Sequence, residues 1–126
     1  MTTSVYLRLP SMTPREALHT YFGYDDFRPL QAEIIESVLS GKDTLALMPT
    51  GGGKSICFQI PTLVIGQENQ EKRLCLVITP LIALMRDQVA NLRARGIQAE
   101  AVYTGMSWDR QRMALDNCLY GPYHFL

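Results

Sequence analysis

The chain has 126 residues, which suits one domain of ordinary size. Hydrophobic residues make up 47% and charged residues 19%, a balance that excludes a disordered polar tail. Twelve Lys and Arg offset twelve Asp and Glu, so any nucleic-acid or membrane binding must come from a local site rather than from bulk charge.

Residues 1–12 show no firm period and read as an N-terminal arm, with a single domain over 13–126. Thr13-Pro14-Arg15-Glu16 has the makings of a helix start. Thr13 caps, Pro14 suits the first helical position and Glu16 completes a capping box. Ala17, Leu18, Tyr21 and Phe22 then share a face, and Gly23 ends the helix. A second helix is expected from about Pro29, with Leu30, Ile34, Val38 and Leu39 at helical spacing and a stop at Gly41.

The pattern then changes. Residues 44–48 and 74–78 are short apolar runs of the kind found in strands buried on both faces of a parallel sheet. Helices are expected over about 54–65 and 82–95, the latter ending at Gly96. The polar run 66–73 reads as a surface loop. A third strand fits 98–102, Ser107 caps a helix near 108–119, and 123–126 begins a fourth strand. Strands alternating with helices predict an α/β fold, a parallel sheet with flanking helices.

Cys57, Cys75 and Cys118 form no C-x-x-C pair and sit among apolar neighbours, so core packing is their expected role. His19 and His124 lack a ligand pattern. No apolar run approaches the roughly 18–20 residues of a membrane span, and the opening segment lacks a secretion signal, so a cytoplasmic protein is expected.

The strongest chemical signal is Met48-Pro49-Thr50-Gly51-Gly52-Gly53-Lys54-Ser55, between an expected strand and an expected helix. That is the context of a phosphate-binding loop. The glycines let backbone N–H groups converge on an anion, and the following helix adds its positive end. Lys54 reaches the β- and γ-phosphates, and the Ser55 hydroxyl suits Mg²⁺. The alternative is a glycine-rich turn before a surface lysine. The core of the pattern arises by chance in roughly one in two hundred chains of this length, and in this context more rarely. The general pattern has Gly where Met48 stands, a departure that points away from most kinases and GTPases.

Three segments together resemble RecQ-type DNA helicases. Residues 22–35, FGYDDFRPLQAEII, resemble that family's motif 0; 48–61, MPTGGGKSICFQIP, its motif I; and 79–89, TPLIALMRDQV, its motif Ia. The resemblance covers about residues 14–126. It implies a RecA-like P-loop NTPase lobe, with Lys54 as the catalytic lysine and ATP and Mg²⁺ as cofactors. It places the nucleotide against Tyr24, Arg28, Gln31, Thr50, Gly51, Gly52, Gly53, Lys54 and Ser55. Tyr24 and Arg28 would sandwich the adenine ring, and Gln31 would bond its edge. The chemistry is suitable, since a guanidinium stacks on aromatic faces and an amide matches adenine N6 and N7. Read without the family, Tyr24 is a loop aromatic and Arg28 a surface charge.

The resemblance also implies contacts between Thr79–Gln88 and a DNA backbone. Arg86 has two readings, a backbone contact or a local pair with a carboxylate. Leu81, Leu84, Met85 and Val89 are expected to pack against the sheet. Thr104–Ser107 is either a second backbone-contacting loop or a plain strand-to-helix turn. Trp108, the only tryptophan, is expected to pack in the core or in a surface groove. None of the twelve carboxylates follows an apolar strand run, and no D-E-A-H box is present. The expectation is therefore an incomplete lobe, with the acidic box and the remainder of the motor lying outside these residues. A nucleotide- or DNA-binding piece with no turnover of its own is the alternative; a small P-loop kinase is a third reading, which motif 0 opposes.

Overall fold

In the computed structural model, residues 12–49, 51, 53–67 and 73–126 are described. The chain divides into two compact units, whose described residues are 12–20 and 24–67 in the first, and 21–23 and 73–126 in the second. The expected arm lies outside the described residues except for Met12.

In the first unit, helix α1 (Pro14–Ala17) begins as its sequence dictates. Thr13 Oγ1 accepts from Glu16 N at 3.2 Å, and Glu16 Oε2 accepts from Thr13 N at 2.8 Å. The helix does not continue as α, since Leu18–Phe22 winds as a π-helical turn before Gly23. Helix α2 (Gln31–Leu39) starts two residues later than expected, because Leu30 sits in the left-handed region at φ 73° and breaks the run from Pro29. Helix α3 (Ile56–Gln67) carries the densest apolar content. Cys57, Ile60, Pro61, Leu63 and Val64 are all buried. Pro61 cannot donate within the helix, and its neighbour Thr62 donates its hydroxyl to the Phe58 carbonyl at 2.7 Å. Both α1 and α2 pack on α3, so the first unit is built around it.

Residues 44–48 do not form the expected strand. Among the described residues they pair with no other extended segment, and Leu45 and Leu47 are 88% and 83% exposed. A strand exists only through a neighbour's N–H and C=O groups, and an apolar run supplies none of these by itself.

In the second unit, helix α4 (Ile82–Ala94) ends at Gly96, which adopts φ 77°. Helix α5 (Trp108–Tyr120) starts where Ser107 Oγ accepts from Arg110 N at 3.3 Å. Three extended segments lie side by side here, with 123–126 in the middle. Cys75 and Ala99 each form a parallel bridge to Phe125. Cys75 N donates to His124 O at 2.8 Å and Val77 N to Leu126 O at 2.8 Å. On the other side Glu100 N donates to Phe125 O at 3.0 Å and His124 N to Gln98 O at 3.1 Å. These isolated bridges are the only sheet pairing among the described residues. Phe125, Ala99, Ile97, Leu92, Ala114 and Cys118 are buried around them.

Polar contacts fix the second unit's helices to its extended segments. Arg93 donates from Nε to Ala99 O at 2.9 Å and pairs through Nη2 with Glu100 at 3.2 Å, while Asn117 Nδ2 donates to the same carboxylate at 3.3 Å. Arg95 donates to Tyr21 O at 3.2 Å and lies over the Phe22 ring.

Two side-chain expectations are corrected, and one of the two readings of Arg86, the local carboxylate pair, is not found among the described residues. Leu81 and Leu84 do not pack inward; both are exposed, while Met85 and Val89 are half-buried. Trp108 is 84% exposed, because α5 turns Ala114 and Cys118 inward instead. Arg86 has no carboxylate partner among the described residues; it stacks 4.9 Å from the Tyr103 ring centroid and donates to the Tyr103 hydroxyl at 3.2 Å.

Candidate functional site

The glycine-rich loop leads into α3 within the first unit. Gly51 and Gly53 have φ of 78° and 77°, a region that side chains disfavour, which explains why the sequence needs glycine there. Thr50 and Gly52 lie outside the described residues. After the loop, Cys57 N donates to Lys54 O at 3.1 Å, and Phe58 N and Gln59 N donate to Ser55 O at 3.3 and 3.0 Å. The helix thus begins with a tight turn directly behind the glycines. Lys54 is exposed and Ser55 half-buried at this end of α3.

The residues at 24–31 meet the same loop. Arg28 Nη1 donates to Gly51 O at 2.9 Å. Gln31 Nε2 donates to Gly53 O at 3.1 Å, while its Oε1 accepts from Arg28 N at 2.8 Å. Gln31 is 2% exposed, and a Cβ built on Gly53 would collide with its Nε2. The left-handed turn at Leu30 sets Gln31 at the first position of α2, with its amide folded back toward Arg28. Two contacts reach the same segment from α1 and its π-helical extension: Arg15 pairs with Asp26 at 3.3 Å, and His19 Nε2 lies 3.7 Å from Asp25 Oδ1. All four side chains are well exposed, so these contacts add little stability.

Tyr24 is 50% exposed and forms no ring contact with Arg28 among the described residues. The structure therefore brings Arg28, Gln31, Gly51 and Gly53 together by direct bonds and leaves Tyr24 at the rim. Beneath the loop, Ile34, Val38, Thr44, Ala46, Met48, Lys54, Cys57 and Phe58 line a cleft of about 230 Å³. Cys57 Sγ lies 3.7 Å from Met48 Sδ. Burial pushes the Cys57 thiol above its ordinary value, so it stays protonated at neutral pH and serves as packing. Among the described residues no three His, Cys, Asp or Glu side chains are grouped to hold a metal ion.

Two contributions are absent from the sequence reading. The bonds from Arg28 and Gln31 to loop carbonyls span more than twenty residues, and no local pattern encodes them. Tyr103 as the partner of Arg86 likewise has no signal beyond an aromatic at the end of an expected strand.

Residues 28–124 match the family model for DEAD/DEAH box helicases. The chain is 41% identical over 114 residues to an ATP-dependent DNA helicase RecQ of Pasteurella multocida, covering 90% of this chain and 17% of that protein. It is 44% identical over 92 residues to a probable ATP-dependent DNA helicase RecS of Bacillus subtilis, covering 73% of this chain and 17% of that one. With an ATP-dependent DNA helicase RecQ of Synechocystis it shares 43% over 100 residues, covering 79% of this chain and 20% of the other. The chain therefore spans a fifth or less of the length of these relatives.

Proposed function

The chain belongs to the DEAD/DEAH box helicase family, and from that premise we propose that it is the ATP-binding portion of a RecQ-type, ATP-dependent 3′-to-5′ DNA helicase. The family implies a RecA-like P-loop NTPase fold and the use of ATP, typically with Mg²⁺. The observation that carries the proposal is the direct bonding of Arg28 and Gln31 to the carbonyls of the glycine loop. It ties the residues proposed to read the base to those proposed to hold the phosphates.

In this reading the amides around Gly51–Gly53 and the start of α3 bind the phosphate oxygens. Lys54 supplies a point charge to the β- and γ-phosphates as the catalytic lysine. Mg²⁺ would be held by phosphate oxygens and the Ser55 hydroxyl, and it would neutralise charge on the leaving phosphates. Arg28 and Tyr24 would stack on the adenine, and Gln31 would bond its edge. Arg28 and Gln31 must share or release their bonds to the loop to do so, which makes base binding and loop shape draw on the same two side chains. Thr50 and Gly52 complete the proposed loop.

The finer parts of the fold belong to the same proposal. The bridged segments around Phe125 are the beginning of a parallel sheet with flanking helices, within a domain over 13–126. The DNA backbone is proposed to meet Thr79–Gln88. Leu81 caps α4 in an extended conformation without a side-chain hydrogen bond, so the first N–H groups of α4 receive no cap from it. Such groups suit phosphate oxygens. No described helix is long and apolar enough to cross a membrane, and a cytoplasmic, DNA-associated location is proposed.

Because the chain carries no D-E-A-H run, nucleotide binding without turnover is the second reading for these residues taken alone. The base-reading assignment is tested by titrating the chain with ATP and with GTP in the presence of Mg²⁺. ATP is expected to bind more tightly, and Gln31→Ala is expected to narrow the difference. Equal affinities in the unaltered chain, or an unchanged preference in the variant, would contradict it.

A further inference from the structure

Helix α5 turns Ala114 and Cys118 inward and leaves large side chains outside. Trp108 and Tyr120 are 84% and 85% exposed, Leu119 63% and Leu115 45%. Trp108, Arg112, Asp116 and Tyr120 recur every four residues, so they form a single ridge along the helix. Leu115 and Leu119 form part of the next row. The ridge reads aromatic, cation, anion, aromatic. Reversed, it is its own charge complement.

We propose that this face is a self-association surface, on which two copies of the chain pack α5 antiparallel about a two-fold axis. Each Arg112 then meets the partner's Asp116, and each Trp108 meets the partner's Tyr120. The ridge of one copy lies against the Leu115–Leu119 row of the other, the commonest way for helices to pack. A two-fold interface requires one patch to complement itself, and this patch does. Neither Arg112 nor Asp116 has an ion-pair partner among the described residues, so both charges are available. The helix carries Asp109 and Asp116 against Arg110 and Arg112, with no net charge to favour a nucleic-acid backbone. One helix pair buries less than the roughly 1,200 Å² of a permanent assembly, so the association is a concentration-dependent equilibrium.

The lone tryptophan makes the test direct. Sedimentation velocity over a micromolar-to-millimolar series is run beside intrinsic fluorescence and far-ultraviolet circular dichroism. The dimer fraction is expected to rise with concentration, and Trp108 emission to move to shorter wavelength in step. Arg112→Asp and Asp116→Arg should each weaken association by about tenfold, since each sets like charges opposed twice. The two changes combined in one chain should restore it, with helix content unchanged throughout. A monomer with fixed emission at every concentration would overturn the proposal. So would a dimer indifferent to both charge reversals, a combined variant no better than either single one, or an emission shift that appears only on adding a single-stranded oligonucleotide. Binding of an ATP analogue, measured alongside, is expected to be the same in all variants, which separates this proposal from that of the nucleotide site.

Discussion

Residues 123–126 carry backbone hydrogen bonds on both sides; residues 44–48 carry none to another extended segment among the described residues. Phe125 at the centre of the first is 2% exposed, whereas Leu45 and Leu47 in the second are 88% and 83% exposed. Both segments are short and apolar. What separates them is company, since 123–126 lies between the segments at 75–77 and 98–100, which supply acceptors and donors at parallel spacing. The glycine-rich loop that follows 44–48 is held in a different way. It is held by side chains from 28–31 and by the start of α3 rather than by a ladder at its base.

The comparison is sharpest at Phe125. Phe125→Ala should destabilise the second unit by about 3–5 kcal/mol in urea unfolding, the usual cost of emptying an aromatic site in a core. Leu47→Ala should fall within about 0.5 kcal/mol, as expected for an exposed position. Equal losses would show that 44–48 is buried in solution and would break the contrast. Next in size, Lys54→Ala should weaken triphosphate binding roughly ten- to a hundredfold, the range for losing one charge-assisted contact.

Gly53→Ala forces a side chain into the left-handed region and against the Gln31 amide, and should cost at least about 1–2 kcal/mol. Gly96→Ala has the same φ of 77° but meets nothing within 4 Å, so its smaller loss in thermal unfolding isolates the Gln31 contact. Identical losses would mean that Gln31 does not support the loop. The smallest effect is at the start of α1, where Thr13→Ala should cost about 1 kcal/mol through loss of the capping box.

What was legible in the sequence was local. The capping box at Thr13 and Glu16, the cap at Ser107 and the stop at Gly96 depend on residues within a few positions of each other. The glycine-rich turn into α3 was legible for the same reason, since its glycines, lysine and serine are consecutive. What was not legible depends on distance along the chain or on a backbone choice with no side-chain signature. The Arg28 and Gln31 bonds to the loop, and the Arg86–Tyr103 stack, join residues 17 to 23 positions apart. The left-handed Leu30 delays α2, although its residue type gives no hint of it. Trp108 misled because a large aromatic side chain is more often covered than the α5 surface allows. The strand at 44–48 failed because periodicity reports which faces are apolar and says nothing of which neighbours are present.

The central claim is that the loop held by Arg28 and Gln31 is a working triphosphate site. It is tested most directly by equilibrium binding of a fluorescent ATP analogue with Mg²⁺ to this chain and to Lys54→Ala. Saturable binding displaced by unlabelled ATP, and weakened roughly ten- to a hundredfold in the variant, is the predicted result. Binding that is equally tight in both chains, or no binding to the folded unaltered chain, would contradict it.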